Sequence, residues 1–284
     1  MLSYLQAALL GILQGIAELF PISSLGHSIL LPAALGWNID QGANYFLTFL
    51  VATHFATAAV LFFFYWKDWM RIFSGIFRSI RLRAIGSDPD ARLGWLLVVG
   101  TVPAGLVGLA FQKKVQGLFA SPFDVAGFLA LNGVLLYGAE LMRRRSNSRV
   151  SVFDADERIA ADVSWRHSIG VGVMQVLALL PGFSRTGSTI AGGLVVGLAH
   201  EDALRFSFLL ATPIIGAAAV LKLPRLFASG NASAIGTALV GAACAALAAY
   251  LSVKFLTRYF KTRTLTPFAI YCLLFGAFNL ILLR

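Results

Sequence analysis

The sequence predicts an all-α, polytopic membrane protein with six transmembrane helices and two re-entrant helix–loop–helix hairpins in an inverted-topology repeat. Three observations predict it. The composition is too apolar for a soluble chain, six apolar runs have spanning length, and two further apolar stretches are each broken midway by Pro, Gly and Ser.

The chain has 284 residues, 58% of them hydrophobic and 13% charged, with a mean hydropathy of +0.79. The charged share is about half that of a soluble domain. A soluble enzyme, a disordered chain and a disulfide scaffold are therefore excluded. The net charge is +10, from 23 Lys and Arg against 13 Asp and Glu. The basic residues cluster between apolar runs, which reads as topology information and attraction to anionic lipid heads, not as a nucleic-acid surface. Cys244 and Cys272 lie in apolar segments without metal or redox spacing, and read as packing residues. Residues Met1 to Gln6 carry no basic region, so no cleaved signal peptide is expected.

The six runs are 43–66, 93–111, 123–142, 203–222, 234–256 and 264–283. Each approaches the roughly 20 residues that a bilayer crossing needs. Stretch 4–35 is interrupted at Phe20-Pro21-Ile22-Ser23-Ser24-Leu25-Gly26-His27, and stretch 168–198 at Pro181-Gly182-Phe183-Ser184-Arg185-Thr186-Gly187-Ser188. Pro and Gly end a helix, and polar breaks are costly against lipid. Two hairpins that return to their side of entry solve both problems better than two kinked spans.

Charge supports this topology. Loops 67–92, 143–167 and 257–263 fall on one side with fifteen Lys and Arg, against five on the other. The first side is then cytoplasmic, and both termini lie outside the cytoplasm. A shift of 160 aligns Pro21 with Pro181, Ser24 with Ser184, Ser28 with Ser188, Phe46 with Phe206, and Ala58-Ala59-Val60 with Ala218-Ala219-Val220. The expected unit is one membrane domain over 1–284. Its halves, about 1–142 and 168–284, are joined by cytoplasmic loop 143–167. Each half is a hairpin plus three spans, so the second half is inverted and the breaks meet near the midplane.

Two charges lie within the broken stretches: Glu18 and Arg185. Burying a charge at membrane depth costs about 2.5–3.5 kcal/mol on insertion scales, so such residues read as functional. An ion pair bracing the hairpins would account for these two alone. It would not account for Gln14, Ser23, Ser24 and His27 at the first break, or Ser184, Thr186, Ser188 and Thr189 at the second. Gln14 and Glu18 share a helix face. Each break also starts a half-helix whose N–H groups favour an anion. The set suits a phosphate or diphosphate. His54, in the first run, either lines the same cavity or is a packed histidine. Glu140, beside Arg143, reads as an interfacial ion-pair residue, and Phe62 to Trp66 as an interfacial aromatic belt.

These residues resemble a known family, the undecaprenyl-diphosphate phosphatases of the bacitracin-resistance type. The matches are Gln14-Gly-Ile-Ala-Glu18, then Pro21-Ile-Ser23-Ser24-Leu-Gly26-His27, then Pro181-Gly182-Phe183-Ser184-Arg185-Thr186-Gly187-Ser188-Thr189, then Ser207 to Pro213. Thr186 stands where the family usually has Ser, and Leu25 where a small hydroxyl residue is common.

The resemblance implies an integral enzyme of the bacterial inner membrane. It would hydrolyse a C55 isoprenyl diphosphate to the monophosphate, recycling the lipid carrier for cell-wall polymers and resisting bacitracin. It implies the same fold of six spans and two hairpins. The implied catalytic residues are Glu18, Ser24, His27 and Arg185. Gln14, Ser23, Ser184, Thr186, Ser188, Thr189 and His54 would bind substrate. Arg185 would hold the phosphoryl oxygens. Ser24 with His27 or Glu18 as base, His27 itself, or a water positioned by His27 could attack phosphorus. A divalent cation, Mg²⁺ or Ca²⁺, would sit between Glu18 and substrate phosphates, since one carboxylate cannot form an all-protein cage. A homodimer is compatible with the chain and is not decided by it.

Three rival readings follow, of which a structural or assembly role leaves Glu18 and Arg185 unexplained except as a brace. An inverted-repeat transporter or flippase for a lipid phosphate or small anion would have the same architecture. The other common membrane lipid phosphatase needs His downstream of Ser-Arg where this chain has Ala191, and its Lys and Asp elements are missing.

Overall fold

The computed structural model describes residues 2–37, 39–40, 43–83, 85, 88–117, 121–144, 155–228 and 232–284. Among them the chain is helical, with no strand. In the first half come α1 (Tyr4–Ala17), α2 (Ser24–Ala34), α3 (Asn44–Phe64), α4 (Trp66–Leu82), α5 (Pro89–Gly117) and α6 (Pro122–Arg144). The second half holds α7 (Ala155–Asp162), α8 (Trp165–Val176), α9 (Arg185–Val195), α10 (His200–Ala228), α11 (Ala232–Tyr259) and α12 (Thr266–Leu282).

All six apolar runs lie on helices, in order α3, α5, α6, α10, α11 and α12. Four stretches are long and apolar enough to cross a bilayer: Tyr45–Phe64, Pro89–Phe111, Pro122–Arg143 and Ala234–Tyr259. The chain is thus a polytopic membrane protein. Outward side chains such as Leu109, Leu274 and Ile281 stay exposed, as a lipid-facing surface requires.

Two segments expected as loops are partly helical. Residues 67–92 contain α4, whose apolar and basic positions alternate along the helix so that neither dominates the local average. Residues 143–167 contain α7, while 145–154, with Arg145 and Arg149, lie outside the described residues.

Both broken stretches are helix–break–helix. In the first, a capping box starts α1: Ser3 accepts from the Gln6 N–H, and the Gln6 side chain accepts from the Ser3 N–H. Helix α1 ends at Glu18, and the turn through Pro21 leads to Ser23, which caps α2. In the second, Ser164 caps α8 and Ser184 caps α9, with Pro181-Gly182 between.

The packing exchanges partners between the halves. Helix α1 lies against α11, and α8 against α5. Helix α6 pairs with α12, and α3 with α10. Small residues allow the close approaches. A Cβ on Gly11 would run into the Gly241 carbonyl, and one on Gly172 into the Gly100 carbonyl.

Candidate active site

The breaks carry the polar residues because they free backbone groups and cannot face lipid. Glu18 is the C-cap residue of α1, placed where the helix gives way to the Pro21 turn. Ser23 holds a left-handed backbone (φ 71°), and its hydroxyl accepts from the Gly26 N–H at 3.1 Å. A non-glycine residue in that region is strained and must be held by its surroundings. Ser24 is consequently delivered as the first residue of α2.

The carboxylate of Glu18 is the hub. Ser24 Oγ donates to Oε2 at 2.5 Å, and Gln14 Nε2 to the same oxygen at 3.1 Å. Arg185 Nη2 donates to Oε1 at 3.2 Å. His54 Nε2, from α3, lies 3.5 Å from Oε2, while its Nδ1 is 2.7 Å from the Leu50 carbonyl. Thr186 Oγ1 donates to the Glu18 carbonyl at 2.9 Å and receives Arg185 Nη2 at 3.4 Å. Glu18 is 8% exposed and Arg185 13%, so the pair is screened little by water.

Unfilled polar capacity borders this hub. Among the described residues, Arg185 Nε and Nη1, Gln14 Oε1 and the Ser188 hydroxyl are buried without a hydrogen-bond partner. Buried donors left unpaired are costly, so a cluster of them marks where a ligand belongs.

The remaining predicted residues hold the two breaks in place. Ser184 Oγ accepts from the Gly187 N–H at 3.0 Å and reaches across to the Phe20 carbonyl at 3.3 Å. Thr189 bonds the Arg185 carbonyl at 2.9 Å and the Ser207 hydroxyl of α10 at 2.5 Å. His27 is directed elsewhere. Its Nδ1 lies 2.7 Å from the Ser23 carbonyl and its Nε2 2.7 Å from the Tyr271 hydroxyl, and its ring stacks with Tyr271 and Phe275.

Sequence reasoning did not single out Asn132, Tyr271 or, as a site residue, Ser207. Asn132, fully buried on α6, donates to the Pro21 carbonyl at 3.1 Å and accepts from the Ser184 N–H at 3.1 Å. One amide thereby ties both breaks together. A lone Asn in the apolar run 123–142 was the available signal. Gly182, at φ 113°, sits under α6, where a Cβ would come within 2.5 Å of the Val125 carbonyl. Only glycine fits there.

A family profile described as "Bacitracin resistance protein BacA" matches residues 7–278. The chain belongs to the BacA family. Within that family it is 48% identical to a protein of Mycolicibacterium paratuberculosis named undecaprenyl-diphosphatase, over 99% of this chain and 97% of the relative. It is 46% identical to the undecaprenyl-diphosphatase of Acidiphilium cryptum, over 98% of this chain and 97% of the relative. It is 42% identical to undecaprenyl-diphosphatase 2 of Frankia alni, over 97% and 96%. These BacA-family matches run through both breaks, so the cluster lies wholly inside the shared region.

Proposed function

We propose that the chain hydrolyses undecaprenyl diphosphate to undecaprenyl phosphate, returning the lipid carrier for cell-wall synthesis and conferring bacitracin resistance. One observation carries the reading: Glu18, Ser24 and Arg185 meet in a single buried cluster at the two helix breaks. Relatives of 42–48% identity bearing that enzyme's name support it.

Ser24 is the nucleophile. Its proton passes to Glu18 Oε2, with which it already bonds. Its oxygen attacks the terminal phosphorus, the bond to the bridging oxygen breaks, and undecaprenyl phosphate leaves. Water then cleaves the phosphoserine, with Glu18 and His54 as the groups that take and pass its proton. Arg185 offers Nε and Nη1 to the phosphoryl oxygens and offsets charge that grows in the transition state. Ser188, on the first turn of α9, offers a further hydroxyl. Gln14, Thr186 and Thr189 orient Glu18, Arg185 and α9, while Ser23 and Ser184 cap the half-helices. His27 positions the strained Ser23 turn.

A divalent cation, Mg²⁺ or Ca²⁺, fits in one form. Among the described residues no three carboxylate, histidine or cysteine groups converge on one point. Gln14 Oε1, however, is a buried oxygen without a partner, four residues from Glu18. Gln14 and Glu18 would hold one face of the ion, with substrate oxygens and water completing its shell. When bound, the ion would neutralise diphosphate charge.

In the proposed topology α3, α5, α6, α10, α11 and α12 span the membrane. Helices α1–α2 and α8–α9 re-enter it, from outside and from the cytoplasm respectively. Both termini lie outside the cytoplasm of a bacterial inner membrane. The exchange of partners, α1 with α11 against α8 with α5, supports an inverted repeat.

Purified protein in detergent, given a long-chain prenyl diphosphate, is expected to release inorganic phosphate, and Glu18→Gln to release little. Substrate movement across sealed vesicles without phosphate release would overturn the reading in favour of transport.

A further inference from the structure

Helix α4 is divided into three stripes. Trp69, Ile72, Gly75 and Ser79 are buried. They face the start of α5: Gly75 lies on Asp90 and Ala91, Ile72 and Ile76 on Gly94, and Trp95 Nε1 donates to Ser79 Oγ at 2.9 Å. Moving along α4 from 72 to 79, the partner on α5 goes from 94 to 90–91, back to 94, then to 95. Helix α4 is therefore packed against the first turns of α5, at one end of that helix. Only Tyr65 separates α3 from α4, and its backbone (φ −101°, ψ 26°) departs from helical values.

The second stripe is Trp66, Met70, Phe73, Phe77 and Ile80, spaced alternately by four and three residues and all exposed, Phe77 at 69%. The third lies one residue further round: Lys67, Arg71, Ser74, Arg78 and Arg81, with Arg83 at the C-cap. Arg71 is paired with Asp68 and Asp156, and Arg78 with Asp88. Burial would raise the Asp88 carboxyl, but Arg78 and the Ala91 and Asp90 N–H groups together hold it below the usual carboxylate range. Lys67, Arg81 and Arg83 have no carboxylate partner among the described residues.

An apolar stripe beside a cationic one, on a helix packed against the end of a spanning helix, has the chemistry of a membrane surface element. Anionic phospholipid complements both stripes at once: acyl chains for the aromatic face, phosphates for the free cations. A second copy seated on the apolar stripe would bring two cationic stripes side by side, with only Asp68 as a counter-charge on the helix. We propose that α4 is an in-plane binding site for anionic phospholipid, with Lys67, Arg81 and Arg83 on the headgroup phosphates. The proposal rests on the membrane arrangement given above and is independent of the phosphatase chemistry.

The test uses the full chain in nanodiscs of dioleoylphosphatidylcholine, with or without an equal part of dioleoylphosphatidylglycerol. Native mass spectrometry of the released protein reads the retained lipid. Wild type is expected to retain phosphatidylglycerol in preference. A variant combining Lys67→Ala, Arg81→Ala and Arg83→Ala is expected to retain at least about threefold less. In a Cys244→Ala background, a spin label at Phe77→Cys should meet oxygen and be shielded from an aqueous nickel complex, and one at Arg81→Cys should meet the nickel complex. Equal retention of both lipids, or a Phe77 label open to nickel, overturns the proposal. So does a label shielded only when two copies cross-link through α4, which would make the stripe a dimer seam. Phosphate release is scored in the same discs. Its absence from wild type would sink the phosphatase reading and leave the lipid result standing.

Discussion

Glu18 and Arg185 are 167 positions apart in the chain and 3.2 Å apart in space. Each is the charged residue at its own helix break, and each supplies the other with a buried counter-charge. Their contact makes the site a joint product of the two halves, which the proposed chemistry requires.

Removing either charge should therefore cost both stability and turnover. Breaking a buried pair from one side costs about 3–5 kcal/mol. Arg185→Ala and Glu18→Ala are each expected to lower phosphate release at least a hundredfold at matched protein yield. Glu18→Gln, which keeps the shape, separates chemistry from folding. Near-normal release by a folded Glu18→Gln protein would remove the acid from the mechanism.

Ser24→Ala is expected to abolish turnover with little change in thermal midpoint, since the hydroxyl is small and, among the described residues, bonds the carboxylate alone. Substrate labelled in the terminal phosphate should leave label on Ser24 of a His54→Asn protein quenched in acid. Unimpaired release by Ser24→Ala would instead point to a water nucleophile.

The ring of His27 bonds Ser23 and Tyr271 and stacks with Tyr271 and Phe275. His27→Gln should lower the thermal midpoint, consistent with the roughly 1–3 kcal/mol lost when a buried partner is orphaned. It should reduce turnover less than tenfold. A hundredfold loss at an unchanged midpoint would return His27 to the chemistry.

Asn132 makes one bond to each break, so Asn132→Leu leaves the Pro21 carbonyl and the Ser184 N–H without it. The expected loss is about 1–3 kcal/mol for each group, with turnover falling alongside as Ser24 and Arg185 lose register. Thermal unfolding and phosphate release measured on one preparation check this. Unchanged values for both would mean the clamp is dispensable.

Much was legible before any coordinates. The six apolar runs became α3, α5, α6, α10, α11 and α12, and both Pro-Gly-Ser interruptions became breaks between short helices. Bilayer length and the helix-breaking character of Pro and Gly are local properties, so they can be read from local sequence. Helix α4 was missed because it is amphipathic: its apolar stripe is offset by its basic one in any windowed average. Asn132 was missed because a single buried amide carries no pattern until its partners are known.

The order of helices and breaks, the membrane class and the presence of one acid and one guanidinium at the breaks were determined by the sequence alone, because apolar run length and backbone-breaking residues act within a few positions. Which side chain faces the acid was decided only by the tertiary structure. Ser24 and His27 are three residues apart in the same helix, yet one meets Glu18 and the other Tyr271. His54, from a separate helix, lies within 3.5 Å of Glu18. Such choices depend on how α2, α3 and α12 are rotated against their neighbours, which is set by packing over the whole chain.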